Sequence, residues 1–88
     1  MNRSERIRLT LDGALKPLAL EIIDESSLHA GHSGAREEGQ THYRVEIVAA
    51  EFVDKSRLER QRLIHALLAD EFSSGLHALT IKAKAPNE

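Results

Sequence analysis

The chain has 88 residues, of which 41% are apolar and 30% charged, with a formal net charge of −2 and no cysteine. That length makes one domain, close to the smallest that folds on its own core. With Tyr43, Phe52 and Phe72 as its only aromatics, the core must be built from Leu, Ile, Val and Ala, which argues against an enzyme with a deep ligand cavity. Lack of cysteine excludes disulfides and an all-protein thiolate cluster, and the acidic balance disfavours a protein whose main affinity is for phosphate backbones. The start of the chain lacks an apolar signal region and no stretch is apolar enough to span a membrane, so the expected address is cytosolic.

Ser4 is the expected N-cap of a first helix, in which Ile7, Leu11, Ala14 and Leu15 recur at helical spacing. Gly13 weakens that helix by about 1 kcal/mol relative to alanine. Pro17 ends it, because the residue before a proline is pushed out of the helical region. Over residues 18–24 the period becomes two: Leu18, Leu20 and Ile22 share one face, and Ala19, Glu21 and Ile23 the other. Residues 25–40 are polar, carry three glycines and have no apolar period, which predicts a long flexible loop of the kind that is often functional. It contains His29 and His32.

A second strand is expected over residues 41–49, with Tyr43, Val45 and Ile47 inward and His42, Arg44 and Glu46 outward. One buried and one wet face suits an antiparallel α+β layer. Ser56-Arg57-Leu58-Glu59 reads as a capping box. Ile64, Leu67, Leu68 and Phe72 form an apolar stripe that Leu58 and Leu63 miss, which predicts a short helix turning into a longer one near residues 60–62. Ser73-Ser74-Gly75 closes the helical segment. In the third strand Leu79, Ile81 and Ala83 face the core, while Ala78, Thr80, Lys82 and Lys84 face away. By parity His77 then lies on the apolar face, at the rim of the core. Pro86 and its neighbours are expected to be a disordered tail at residues 85–88, leaving a single domain with an ordered core over about 4–84.

Of the five histidines, His42 is expected to be solvated and His65 packed or capping. His29 and His32 suit a polar loop, and His77 has the address of a residue placed for chemistry. Two imidazoles from separate elements can form half a metal centre. Asp24, Glu25 or Glu37 could complete one, but spacing selects none of them. No serine sits in a G-x-S-x-G elbow, so a hydrolase lacks a nucleophile–base pair. Gly31-His32-Ser33-Gly34 matches the G-x-x-G of KH domains only formally, because it lies between strands rather than between helices.

Taken together, Glu25-Ser26 with His29, Thr41-His42-Tyr43-Arg44-Val45, Phe52 with Ser56-Arg57-Leu58, Arg60-Gln61-Arg62-Leu63-Ile64 and Gly75-Leu76-His77-Ala78-Leu79 closely resemble the BolA family. The likeness runs from about Ile7 to Pro86. It implies a small α+β domain of order α-β-β-α-α-β, a three-stranded mixed sheet covered by helices, similar to a class II KH fold. It also implies a non-enzymatic protein, a monomer or weak homodimer when alone, that pairs with a monothiol glutaredoxin and shares a bridging 2Fe–2S cluster. The partner would supply a cysteine and a glutathione thiolate. His77 matches the family's ligand histidine, and His29 matches the loop ligand position, with His32 as an alternative. The family's other association is with DNA and transcription, for which Arg57, Arg60, Arg62, Lys82 and Lys84 are the candidate contacts. Gln61, where many relatives carry histidine, weakens that second role.

Overall fold

Helix α1 spans Arg3–Leu15, β1 Ala19–Asp24, β2 His42–Val48, α2 Arg57–Leu67, α3 Ala69–Ser73 and β3 Ala78–Lys84, with a 3-10 turn at Ala50–Phe52. These elements come from a computed structural model that describes residues 1–26 and 41–88. The sheet has the order β1-β2-β3. Its first pair is antiparallel and its second parallel, so the sheet is mixed rather than antiparallel throughout. The return from β2 to β3 carries both later helices, as a parallel connection requires.

The alternation in β2 is obeyed without exception. Tyr43, Val45 and Ile47 are buried, whereas His42, Arg44, Glu46 and Val48 are partly exposed. Helix α1 packs on β1, α2 packs on β3, and the two helices touch each other. Their stripes, Ile7, Leu11 and Leu15 from α1 and Ile64 and Leu68 from the later helices, close the core over the inner face of the sheet. Each such fully buried side chain contributes about 1.5–3 kcal/mol. Phe52, on the 3-10 turn, is fully buried and fills the end of this core.

Four expectations change at element ends. The cap of α1 is Asn2, whose Oδ1 accepts from the amide of Glu5 at 2.9 Å. Ser4 lies inside the first turn, and its hydroxyl donates to Tyr43 Oη at 3.3 Å. Leu18 is 73% exposed and outside β1, because Lys16 takes a left-handed conformation at φ 45° and redirects the chain before the strand starts. Helix α2 runs unbroken through residues 60–62, and the helical break falls at Leu68 instead. Leu58 misses the stripe because it is simply exposed. Finally, residues 85–88 are held: Ala85 is buried, and the Glu88 carboxylate pairs with Arg60 at 2.6 Å. The capping box forms as read, with Ser56 and Glu59 each accepting from the other's amide.

Candidate metal-ligand site

One end of the sheet gathers the last residues of β1 and the first residues of β2 and β3. Ser26 and Thr41 are buried there. Ser26 Oγ accepts from the amides of Thr41 at 2.9 Å and His42 at 3.0 Å. Asp24 Oδ1 accepts from the Ser26 amide, and the Glu25 amide donates to the His42 carbonyl. The two ends of the segment between residues 26 and 41 are therefore tied side by side. A side chain on that segment starts from an anchored base, although His29, His32 and Glu37 themselves lie outside the described residues. Glu25, read as part of a flexible loop, instead pairs with Arg44 at 3.2 Å.

His77 directly precedes β3 and is exposed. Parity placed it on the apolar face, and the structure corrects this. The amides of His77 and Ala78 both converge on the carbonyl of Thr41, at 2.8 and 3.2 Å. Two consecutive amides reaching one acceptor break the alternation of an extended strand, so the face count cannot be carried back past Ala78. Leu76 takes the buried position instead. His77 is left with a backbone anchored to β2 and a ring directed away from the core. That ring stacks on His42, with centroids 6.1 Å apart and planes inclined by 24°. His42 is correspondingly half-buried rather than solvated, and its Nδ1 shares a 2.9 Å hydrogen bond with Thr41 Oγ1. His65 belongs elsewhere, stacked on Phe72 with centroids 4.9 Å apart.

Behind His77 lies a buried ionic knot. Arg3 Nη1 donates to Glu71 Oε1 at 2.8 Å, to the Glu71 carbonyl at 3.0 Å and to Ser74 Oγ at 2.9 Å. Arg6 approaches the same carboxylate through Nε at 3.0 Å. The Glu71 carbonyl also accepts from the Leu76 amide, and Gly75 makes the intervening turn at φ 128°, a conformation that favours glycine. The hydrogen bond from Arg6 lowers the Glu71 pKa, and the charges of Arg6 and Arg3 add to it against the opposing effect of burial. Nothing local in the sequence signals this knot, because Arg3 and Glu71 are 68 positions apart.

This arrangement offers an exposed imidazole, a nitrogen donor, at a fixed position. Among the described residues, no three or more His, Asp or Glu side chains group closely enough to hold a metal ion. Asp24 and Glu25, considered above as ligands, are engaged by the Ser26 amide and by Arg44. The described part of the site therefore offers the exposed imidazole of His77 beside that of His42, and the chain, with no cysteine, contributes no thiolate. Of the candidate basic contacts, Arg57, Arg60, Lys82 and Lys84 line one groove beside β3, and Arg62 is not among its lining residues.

No helix among the described residues is long and apolar enough to cross a membrane. Comparison with known proteins matches residues 11–88 to the family described as BolA-like protein. SufE-like protein 1, chloroplastic/mitochondrial, of Arabidopsis thaliana is 47% identical over 99% of this chain, which spans only 24% of that relative's length. The UV-induced protein uvi31 of Schizosaccharomyces pombe is 44% identical, covering 100% of this chain and 90% of the relative. The solved BolA domain of SufE1 from Arabidopsis thaliana superposes with a TM-score of 0.89 at 47% identity, over 99% of this chain and 95% of that one.

Proposed function

The chain belongs to the BolA-like protein family, and from that premise we propose that it is a non-enzymatic iron–sulfur accessory protein. It binds a monothiol glutaredoxin and co-ligates a bridging 2Fe–2S cluster, serving assembly, transfer or sensing in the cytosol. The observation that carries this reading is His77: an exposed ring on a backbone anchored to Thr41, beside the tied base of the segment that holds His29 and His32.

The chain's own contributions follow from that geometry. His77 provides one nitrogen donor, and an imidazole ligates only in its neutral form. His29, with His32 as the alternative, is the second donor. The Ser26–Thr41 tie anchors both ends of the segment that carries them at the strand mouth. Exchanging thiolates for imidazoles makes a cluster less negative and raises its potential, which suits transfer or sensing.

Mixing the apo-protein with a cluster-loaded monothiol glutaredoxin and glutathione should alter the visible spectrum and yield a heterodimer. An unchanged spectrum with no complex would overturn the reading. His77→Ala should weaken the cluster-bound complex at least as much as His29→Ala and more than His32→Ala; equal and negligible effects would remove the ligand assignment. The DNA-binding alternative has less support, because Arg62 lies outside the basic groove and the chain carries a net charge of −2.

A further inference from the structure

The groove beside β3 is a second feature, separate from the histidine site. Strand β3 closes the sheet on one side, and among the described residues no strand pairs with its outer edge. The amide of Ala78 and the carbonyl of Lys84 bond towards β2. In a parallel pair the bonding residues alternate, so the backbone groups of Leu79, Ile81 and Ala83 point to the outer edge. These three side chains are partly exposed, whereas their β2 partners Tyr43, Val45 and Ile47 are buried. An unpaired edge of this kind is a template for an added strand.

The flanks of that edge are cationic. Arg57 and Arg60 approach from α2, Lys82 and Lys84 from β3, around a groove of about 480 Å³. Arg60 is held in place before any ligand arrives. Its Nε donates to the Lys55 carbonyl at 3.0 Å, its Nη1 donates to the Ala83 carbonyl at 3.0 Å, and its guanidinium carbon lies 5.9 Å from the centre of the Phe52 ring. The side chain is only 12% exposed. What remains on offer is taken by Glu88, whose two carboxylate oxygens each accept at 2.6 Å. This fork-on-fork geometry is the strong form of arginine–carboxylate recognition, on a guanidinium whose ordering is already complete.

We propose that the outer edge of β3 docks an extended, acidic polypeptide segment as an added strand, with Arg60 as its carboxylate clamp and Glu88 as the internal competitor that the incoming segment displaces. The edge amides and carbonyls of Leu79 and Ile81 and the amide of Ala83 supply strand-type hydrogen bonds, the Ala83 carbonyl being held by Arg60, and Arg57, Lys82 and Lys84 select negative charge. A polypeptide suits the site better than nucleic acid. Backbone donors and acceptors recur at strand spacing along its floor, and Glu46 stands beside Lys82 across the β2–β3 pair, opposing a run of phosphates. This docking is independent of the cluster reading and survives its failure.

The test is an amide-resolved NMR titration of the full chain. The probes are a peptide of alternating glutamate and valine, its lysine counterpart, and a DNA oligonucleotide of similar length. The acidic peptide should shift the amides of Leu79, Ile81 and Ala83, with an affinity that falls as salt rises. Arg60→Gln should weaken binding about tenfold, the scale of one lost charge-assisted contact. Arg57→Gln, whose side chain is exposed and leaves the fold unburdened, should weaken it about threefold. Glu88→Gln should strengthen it by removing the competitor. No shift along β3, equal binding of the lysine peptide, unchanged affinity in Glu88→Gln, or tighter binding of DNA at the same amides would each overturn the proposal.

Discussion

Both ends of the sheet are secured by arginine–carboxylate contacts, and the two differ in how far water reaches them. At the histidine end, Arg3 and Glu71 side chains are 7% and 10% exposed, and their bonds run into the backbone of the turn that presents His77. At the groove end, Glu88 is 46% exposed, and its carboxylate can exchange Arg60 for water at little cost. A buried pair that loses one member strands the other charge, whereas an exposed pair contributes little to stability. The same chemistry thus acts as a fixed brace at one end and as a releasable latch at the other.

The sharpest break of that contrast is Glu71→Gln. It leaves Arg3 without its carboxylate in a buried setting and should cost about 3 kcal/mol, read as a lowered urea midpoint with an unchanged slope. Glu88→Gln should leave the urea midpoint close to that of the parent, because an exposed pair contributes little. Comparable losses in the two variants would erase the distinction between brace and latch.

Acid distinguishes the ends in a second way. Glu71 has a folded pKa below its ordinary value of 4.5, so the unfolded chain binds its proton first as pH falls. The stability this group contributes is complete above the unfolded value and is lost as pH drops through the folded one. Acid unfolding should therefore steepen below about pH 4.5, and Glu71→Gln should flatten that limb. At the other end, the hydrogen bond from Arg60, reinforced by the Ala85 amide, holds the Glu88 pKa at about 2. Its carboxyl resonance in an NMR titration should move only near that pH, and by the same linkage whatever stability the pair contributes is lost as pH falls from the unfolded value of 4.5 towards it. A Glu88 midpoint near 4.5 would mean that the latch is open in solution.

A smaller effect belongs to the tie at the loop base. Ser26→Ala removes the acceptor for two amides, one of them on buried Thr41, and should cost about 1–2 kcal/mol. Because the same tie anchors the chain on both sides of the segment that contains His29 and His32, this variant should also weaken the proposed cluster complex while leaving β3 binding of the acidic peptide unchanged. Loss of peptide binding in Ser26→Ala would show that the two ends are coupled.

The elements most legible in the sequence are those set by local rules. The period of two in β2 and the Ser56–Glu59 capping box depend on neighbours a few positions away and stand as read, and the first helix buries Ile7, Leu11 and Leu15 of its stripe while Ala14 is exposed. The candidate site was legible only as residue types. His77 stands out by residue type and position, but parity misjudges its face because the count is carried past the point where two amides share the Thr41 carbonyl. His42 was set aside as solvated because nothing in its own strand records that another strand's entrance brings a second imidazole to its ring.

By itself the sequence determined the order of helices and strands, the inner face of β2, the absence of thiolate chemistry and the family likeness. The first three follow from short-range periodicity and composition, and the likeness from the motifs shared along the chain. Tertiary structure alone decided which arginines became brace and latch, that His77 and His42 stack outside the core, and that the edge of β3 opens onto a basic groove. The physical reason is separation. Arg3 meets Glu71 across 68 positions and Arg60 meets Glu88 across 28, and the energy of such contacts depends on burial that exists only once the sheet and helices have closed around them.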